Sequence, residues 1–223
     1  MDNKQRIQWI DEAKGLGLML VIIGHTLESS SFSYYLLYSF HMPWFFFLSF
    51  LTSKPPGSLS ELKTKLCRTA HHLLLPALCV FLIGTAYELY FYYHTQQMNW
   101  PMFWERKRTQ LIYIQPLGTI WFLITLFLAR CLHDSINLLV SNTWFAGAIF
   151  IAACSLSVCC PQMHGRPLVI GAVLAALPFC FWGTIWQKRS LTDWKGIDFA
   201  VYALILFFAS PFCIKLQNIF AQS

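Results

Sequence analysis

Asp11, Lys14, His25, Glu28 and His41 are the residues near the start of the chain whose types can hold charge or move a proton. Imidazole is the side chain that takes and gives a proton near neutral pH. On a helix turning 100° per residue, Lys14 and His25 are eclipsed to within about 20°, with Asp11 about 60° to one side and Glu28 about 40° to the other. They share a face but not a level, because His25 lies about 16 Å further along the axis. That separation suits a long ligand with a charged end and a distant reactive end. Leu18 and Val21 fill the sector between them, and Gly17 borders it, so its middle is apolar and open to close approach. His25 and His41 are each eight residues from position 33, the apex of the hairpin between them, which predicts two imidazoles in one layer. Plainer readings exist for each group. A single buried histidine is as readily a helix–helix hydrogen-bonding group, and Asp11 and Glu12 suit a helix start because of the macrodipole. Two imidazoles at one depth, with charges aligned below them, favour a site.

A second group is basic. Lys63, Lys65, Arg68, His71 and His72 run into Leu73-Leu74-Leu75-Pro76. They read either as a cytoplasmic anchor or as a phosphate-binding patch, for which Arg is suited by its bidentate geometry. Glu88 lies inside an apolar run and is expected to be paired within a bundle. Trp44 and Trp121 belong by default to packing or an aromatic belt, and His164 and Arg166 to a solvated loop. The eight cysteines form no CxxC pair and mostly sit in apolar stretches, where Cys behaves as a small hydrophobe. Cys159–Cys160 is a weak redox candidate. No Cys/His set has metal-ligand spacing, so no metal is expected.

The elements that must position these residues are membrane spans. Of 223 residues, 57% are hydrophobic and only 12% charged, about half the charge of a soluble domain. Apolar runs able to cross about 30 Å of hydrocarbon recur at 14–31, 35–52, 73–93, 117–133, 143–160, 168–187 and 197–214. The fold class is therefore all-α, a polytopic transmembrane helical bundle of about seven spans, read as one domain over 1–223. Pro76 and Pro178 are expected to kink their helices. The net charge of +6 reflects loop Lys and Arg rather than a nucleic-acid partner, since no nucleic-acid motif accompanies it. With the N-terminus in the cytoplasm, most basic residues fall inside, although Glu105-Arg106-Lys107-Arg108 falls outside and is awkward to translocate. Asp11 and Glu12 argue against a cleaved leader, so the first helix is read as retained.

Arg6-Ile7-Gln8-Trp9-Ile10-Asp11-Glu12-Ala13-Lys14-Gly15, continuing to Val21-Ile22-Ile23-Gly24-His25, resembles the opening of the membrane acyltransferase-3 family, in particular its fucose 4-O-acetylase-like branch. Ser39-Phe40-His41-Met42-Pro43-Trp44-Phe45-Phe46-Phe47-Leu48-Ser49 is similar to that family's second helix. Lys65-Leu66-Cys67-Arg68, Trp121-Phe122-Leu123 and Leu177-Pro178 through Gly183 resemble later blocks, in family order through about residue 187. The first two blocks are specific, and the others are weak alone. The resemblance implies an integral membrane O-acyltransferase that moves acetyl from cytoplasmic acetyl-CoA to a hydroxyl of an envelope glycan or lipid-linked sugar, in a bacterial inner membrane. It implies no permanently bound cofactor. The family's Arg/Lys-x10-His pattern falls on Lys14 and His25.

His25 would then be general base or acyl relay, in a desolvated site that keeps its imidazole neutral, with His41 and Asp11 beside it in the catalytic set. Lys14, Lys65 and Arg68 would hold CoA phosphates. Trp121 and Glu28 would meet the acceptor. Two departures stand out. Phe50 occupies the place where the family has Gly after Phe-Leu-Ser, and family members commonly have about ten spans. The resemblance therefore implies a C-terminally short bundle, whose open helix faces favour self-association. Two rival readings are an inactive acyltransferase-like membrane protein and a small transporter, which would carry inverted repeats.

Overall fold

In the computed structural model, the described residues are 8–27, 31–95, 99–114, 120–160 and 170–187, and their secondary structure is helical. The helices are α1 (Gln8–Thr26), α2 (Phe32–Leu51), α3 (Leu59–Thr95), α4 (Trp100–Tyr113), α5 (Ile120–Leu139), α6 (Thr143–Cys159) and α7 (Ile170–Gln187). Six of the seven expected spans coincide with a helix, and 197–214 lies outside the described residues. α4 is a helix that hydropathy did not predict, because it carries the Glu105–Arg108 charges. α3, α5 and α7 are both long and apolar enough to cross a membrane, and His41–Leu51 and Thr143–Ser157 are shorter apolar helices. The protein is a helical membrane protein.

Local sequence sets the ends. Ser31 caps α2 by accepting from the Tyr34 amide, Asn99 caps α4 through Met102, and Asn142 caps α6 through Trp144 and Phe145. α3 starts with a reciprocal cap. The Ser58 hydroxyl accepts from the Glu61 amide, and the Glu61 carboxylate accepts from the Gly57 amide at 2.8 Å. α2, α3 and α7 are assigned as helix through Pro43, Pro76 and Pro178. The seven described cysteines are free thiols.

The elements group into two compact units. One comprises α1, α2 and α7 from Pro178; the other comprises α3 to α6 and α7 up to Leu177. In the first, α1 packs on α2, and Ile10, Gly17 and Gly24 of α1 are buried at heptad spacing. A Cβ on Gly17 would meet Phe45 and Trp44 at 3.1–3.3 Å. The Trp44 indole donates to the Ala13 carbonyl at 3.1 Å. Ile10, Trp44, Phe47, Leu48, Leu51 and Trp186 form the core. In the second unit α3 packs chiefly on α5 and α5 on α6, while Ser157 donates to the Gly171 carbonyl at 2.7 Å.

Phe50 is fully buried. The close approach that a glycine there would provide is supplied from the other side. A Cβ on Gly183 of α7 would lie 2.5 Å from the Phe47 carbonyl oxygen and 3.1 Å from the Leu51 amide and the Phe50 Cβ. Backbone cannot yield as a flexible side chain can. Gly183→Val is expected to lower stability by about 1–3 kcal/mol or more through overpacking, read as a fall in Tm of the detergent-solubilised chain. Gly84→Ala, where an added Cβ meets nothing within 4 Å, is expected to leave Tm unchanged or raise it.

Candidate functional site

His41 is 1% exposed, on the part of α2 that packs into the first unit. Its Nδ1 lies 2.7 Å from the Leu37 carbonyl oxygen, one turn earlier. A carbonyl only accepts, so Nδ1 carries the hydrogen and the basic lone pair of the neutral ring is on Nε2. The helix itself thus fixes the tautomer of this ring.

His25 is on the last turn of α1, where the Thr26 hydroxyl bonds the Ile23 carbonyl at 2.8 Å. Contacts of Ala13 and Gly17 with Trp44 and Phe45 set the register of the α1–α2 hairpin. They put His41 roughly level with Leu20, about 7 Å along the axis from His25. The two imidazoles are therefore not attached at one depth, as equal counting from position 33 predicts. Side chains lean toward the N-terminus of their own helix, and in antiparallel helices with this offset the two rings lean toward one another. They come within electrostatic range.

The rest of the α1 stripe differs from expectation in its surroundings. Lys14 and His25 are exposed, Leu18 is 57% exposed, and Asp11 and Val21 are half-buried. The close-packed face is the neighbouring one, because Gly17 admits Trp44 and Phe45 of α2 there. The Lys14–His25 sector is consequently an open flank of the helix pair. Glu28 lies outside the described residues.

In the second unit the basic start of α3 is divided between two uses. Lys63, Arg68, His71 and His72 are exposed. Lys65 instead puts its ammonium 2.7 Å from Asp134 Oδ2, and Asp134 is 1% exposed. The other carboxylate oxygen accepts from His133 Nδ1 at 3.2 Å. His133 Nε2 lies 3.1 Å from Asn137 Nδ2, which also donates to the His133 carbonyl. The buried His133 ring stacks on Phe150 of α6 at 5.2 Å and 14°, and Arg130 is within electrostatic range of the group. A polar chain thus ties α3 to α5, and the stacked His133 ring extends the contact to α6. Its signal in the sequence is the spacing of Arg130, His133, Asp134 and Asn137 on one helical face; ending the fourth span at 133 treats half of it as loop. Trp121 is half-buried, edge-on to Phe122, and its carbonyl accepts from the Thr125 hydroxyl. Among the described residues no three His, Cys, Asp or Glu converge as metal ligands.

The geometry of the first unit can do proton-transfer chemistry, and that of the second holds charge in an apolar setting. No curated protein and no solved structure matches the chain. The sequence profile of the acyltransferase-3 family, described as an acyltransferase domain, matches residues 7–216. That range takes in the α1–α2 imidazole pair and the Lys65–Asp134 network alike, and a match of this extent decides the family: the chain belongs to the acyltransferase-3 family of membrane acyltransferases.

Proposed function

We propose that the chain transfers acetyl from acetyl-CoA, supplied from the cytoplasm, to a hydroxyl of an envelope carbohydrate, as in the fucose 4-O-acetylase-like branch of the family. The observation that carries this reading is the imidazole pair: exposed His25 within electrostatic range of buried His41, whose Nδ1 is held by the Leu37 carbonyl. His25, reachable from the open flank of α1, takes the proton of the acceptor hydroxyl as its oxygen attacks the thioester carbonyl. The C–S bond then breaks, and the imidazolium returns the proton to the departing CoA thiolate. His41 positions and polarises its neighbour, and Asp11 belongs to the same helix face. The setting is a bacterial inner membrane with a cytoplasmic N-terminus, and the acceptor is a glycan or lipid-linked sugar that Trp121 and Glu28 help to select.

Lys14 and Arg68 are each proposed as contacts for CoA phosphates. Lys65 is reassigned. Its ammonium is neutralised by Asp134 at 2.7 Å, so its role is to hold α3 against α5. Removing either partner alone leaves a buried charge uncompensated, at a cost of about 3–5 kcal/mol, whereas replacing both with apolar groups is often neutral.

Transfer of labelled acetyl from acetyl-CoA to envelope glycan by the purified full chain in nanodiscs tests the reading. His25→Ala is expected to lower kcat by about 10²–10⁴-fold with unchanged membrane insertion. Absence of transfer by the wild-type chain to any envelope glycan, or full activity of His25→Ala, sinks the proposal. Arg68→Ala is expected to raise KM for acetyl-CoA about tenfold or more, the worth of a charge-assisted hydrogen bond. The double variant Lys65→Met/Asp134→Leu is expected to keep that KM, and a comparable rise there would restore Lys65 to the phosphate site.

A further inference from the structure

Two charged clusters lie on α3 twenty-three residues apart. At one, Lys65 meets Asp134. At the other, Glu88 pairs with Arg106 at 2.8 Å and Lys107 at 3.0 Å, both from α4. The helical rise makes this separation about 35 Å, close to the roughly 30 Å of bilayer hydrocarbon. Between the clusters α3 turns Leu75, Leu78, Val80, Leu82 and Ile83 outward, each about half exposed or more, as a lipid-facing helix does. Past Glu88 the outward residues become rings, with Tyr90, Phe91 and Tyr93 on α3 and Trp100 and Trp104 on α4. Amphipathic rings of this kind concentrate at the headgroup level.

α4 packs antiparallel along the end of α3. Phe103 meets the Tyr92 ring, Arg106 donates to the Tyr92 hydroxyl, and Lys107 reaches Glu88, the Gln110 amide oxygen and the faces of Phe81 and Phe103. Lys107 is thereby 5% exposed and compensated, which removes much of the cost of a basic cluster at this position. Beside that buried face, Trp100, Leu111 and Trp104 fall within about 40° of one another, and Arg108 lies about 40° further round. Arg108 is 72% exposed, and its approach to Glu105 is no closer than 3.9 Å.

We infer that the α3–α4 hairpin is a phospholipid-binding arm at the bilayer face opposite the Lys65–Asp134 pair. The Glu88–Arg106–Lys107 cluster marks the edge of the hydrocarbon. Trp100 and Trp104 sit among the headgroups, and Arg108 contacts lipid phosphate. The continuity of this stripe with the lipid-facing side of α3 and its basic rim select a lipid surface over a protein partner. The inference stands independently of the acyl-transfer reading.

The test reconstitutes the full chain in nanodiscs of phospholipids brominated either high on the acyl chain, near the headgroup, or near the chain end. Subtracting the tryptophan emission of a Trp100→Phe/Trp104→Phe variant isolates the two rings, both at exposed positions where Phe is tolerated. The difference signal is expected to lose most of its intensity with bromine placed high and little with bromine placed deep. Equal emission in all lipids would put the arm in water, and stronger quenching by deep bromine would make α4 a re-entrant core helix; either overturns the inference. So would unquenched rings whose emission responds to added oligosaccharide, which would mark a glycan platform. Hydrogen exchange on the unaltered chain is a second check. Slower exchange of the α4 amides of residues 100 and 102–104 in nanodiscs than in short-chain detergent is expected, and identical exchange counts against the arm.

Discussion

The ion pair between Lys65 and Asp134 fixes how α3 and α5 run past each other. A charge in an apolar bundle must be met by its opposite at one level, so sliding either helix by a turn would strand both groups. With that level set, Thr69, Ala77, Leu126 and Ala129 reach their buried places, and His133 is carried onto Phe150 of α6. Everything further along α3, including the reach of α4 to Glu88, is measured from this one contact. The hydrophobic effect drives little of this in lipid, where apolar surface has no water to escape. Polar contacts and close packing carry the specificity instead.

The first unit meets the same requirement by a different route. Its α1–α2 pair has a glycine at 17 where the second unit has charges. Small residues let the backbones approach, and the Trp44 indole then finds the Ala13 carbonyl. The chemistry-bearing residues of α1 stand next to that seam rather than in it. Such an arrangement leaves Lys14 and His25 exposed while the helix that carries them is packed against its neighbour.

Much of the architecture was readable from residue order. Apolar runs located six helices, Gly17 announced a close approach, and the partnering of Glu88 followed from the cost of leaving it alone. What periodicity missed has physical causes. α4 breaks the hydropathy rule because two of its cations, Arg106 and Lys107, pair with a residue of another helix, which no window along one segment can register. Asp134 and His133 were hidden by their position at a span's end, where polar residues are common and carry little information. The depth of His25 relative to His41 was misjudged because counting from a turn assumes symmetric helices, whereas the register is set by which side chains interlock.

Where α2 and α7 touch, the narrow side chain belongs to α7 and the bulky one, Phe50, to α2. Steric fit is a property of the couple, so the missing atom can be donated by either member. A profile that scores each column alone records a bulky residue on α2 as divergence, although the void it fills has merely changed owners. Position 183 itself cannot give the space back, because an added carbon there would strike the Phe47 carbonyl and the Leu51 amide, which trimming Phe50 does not move.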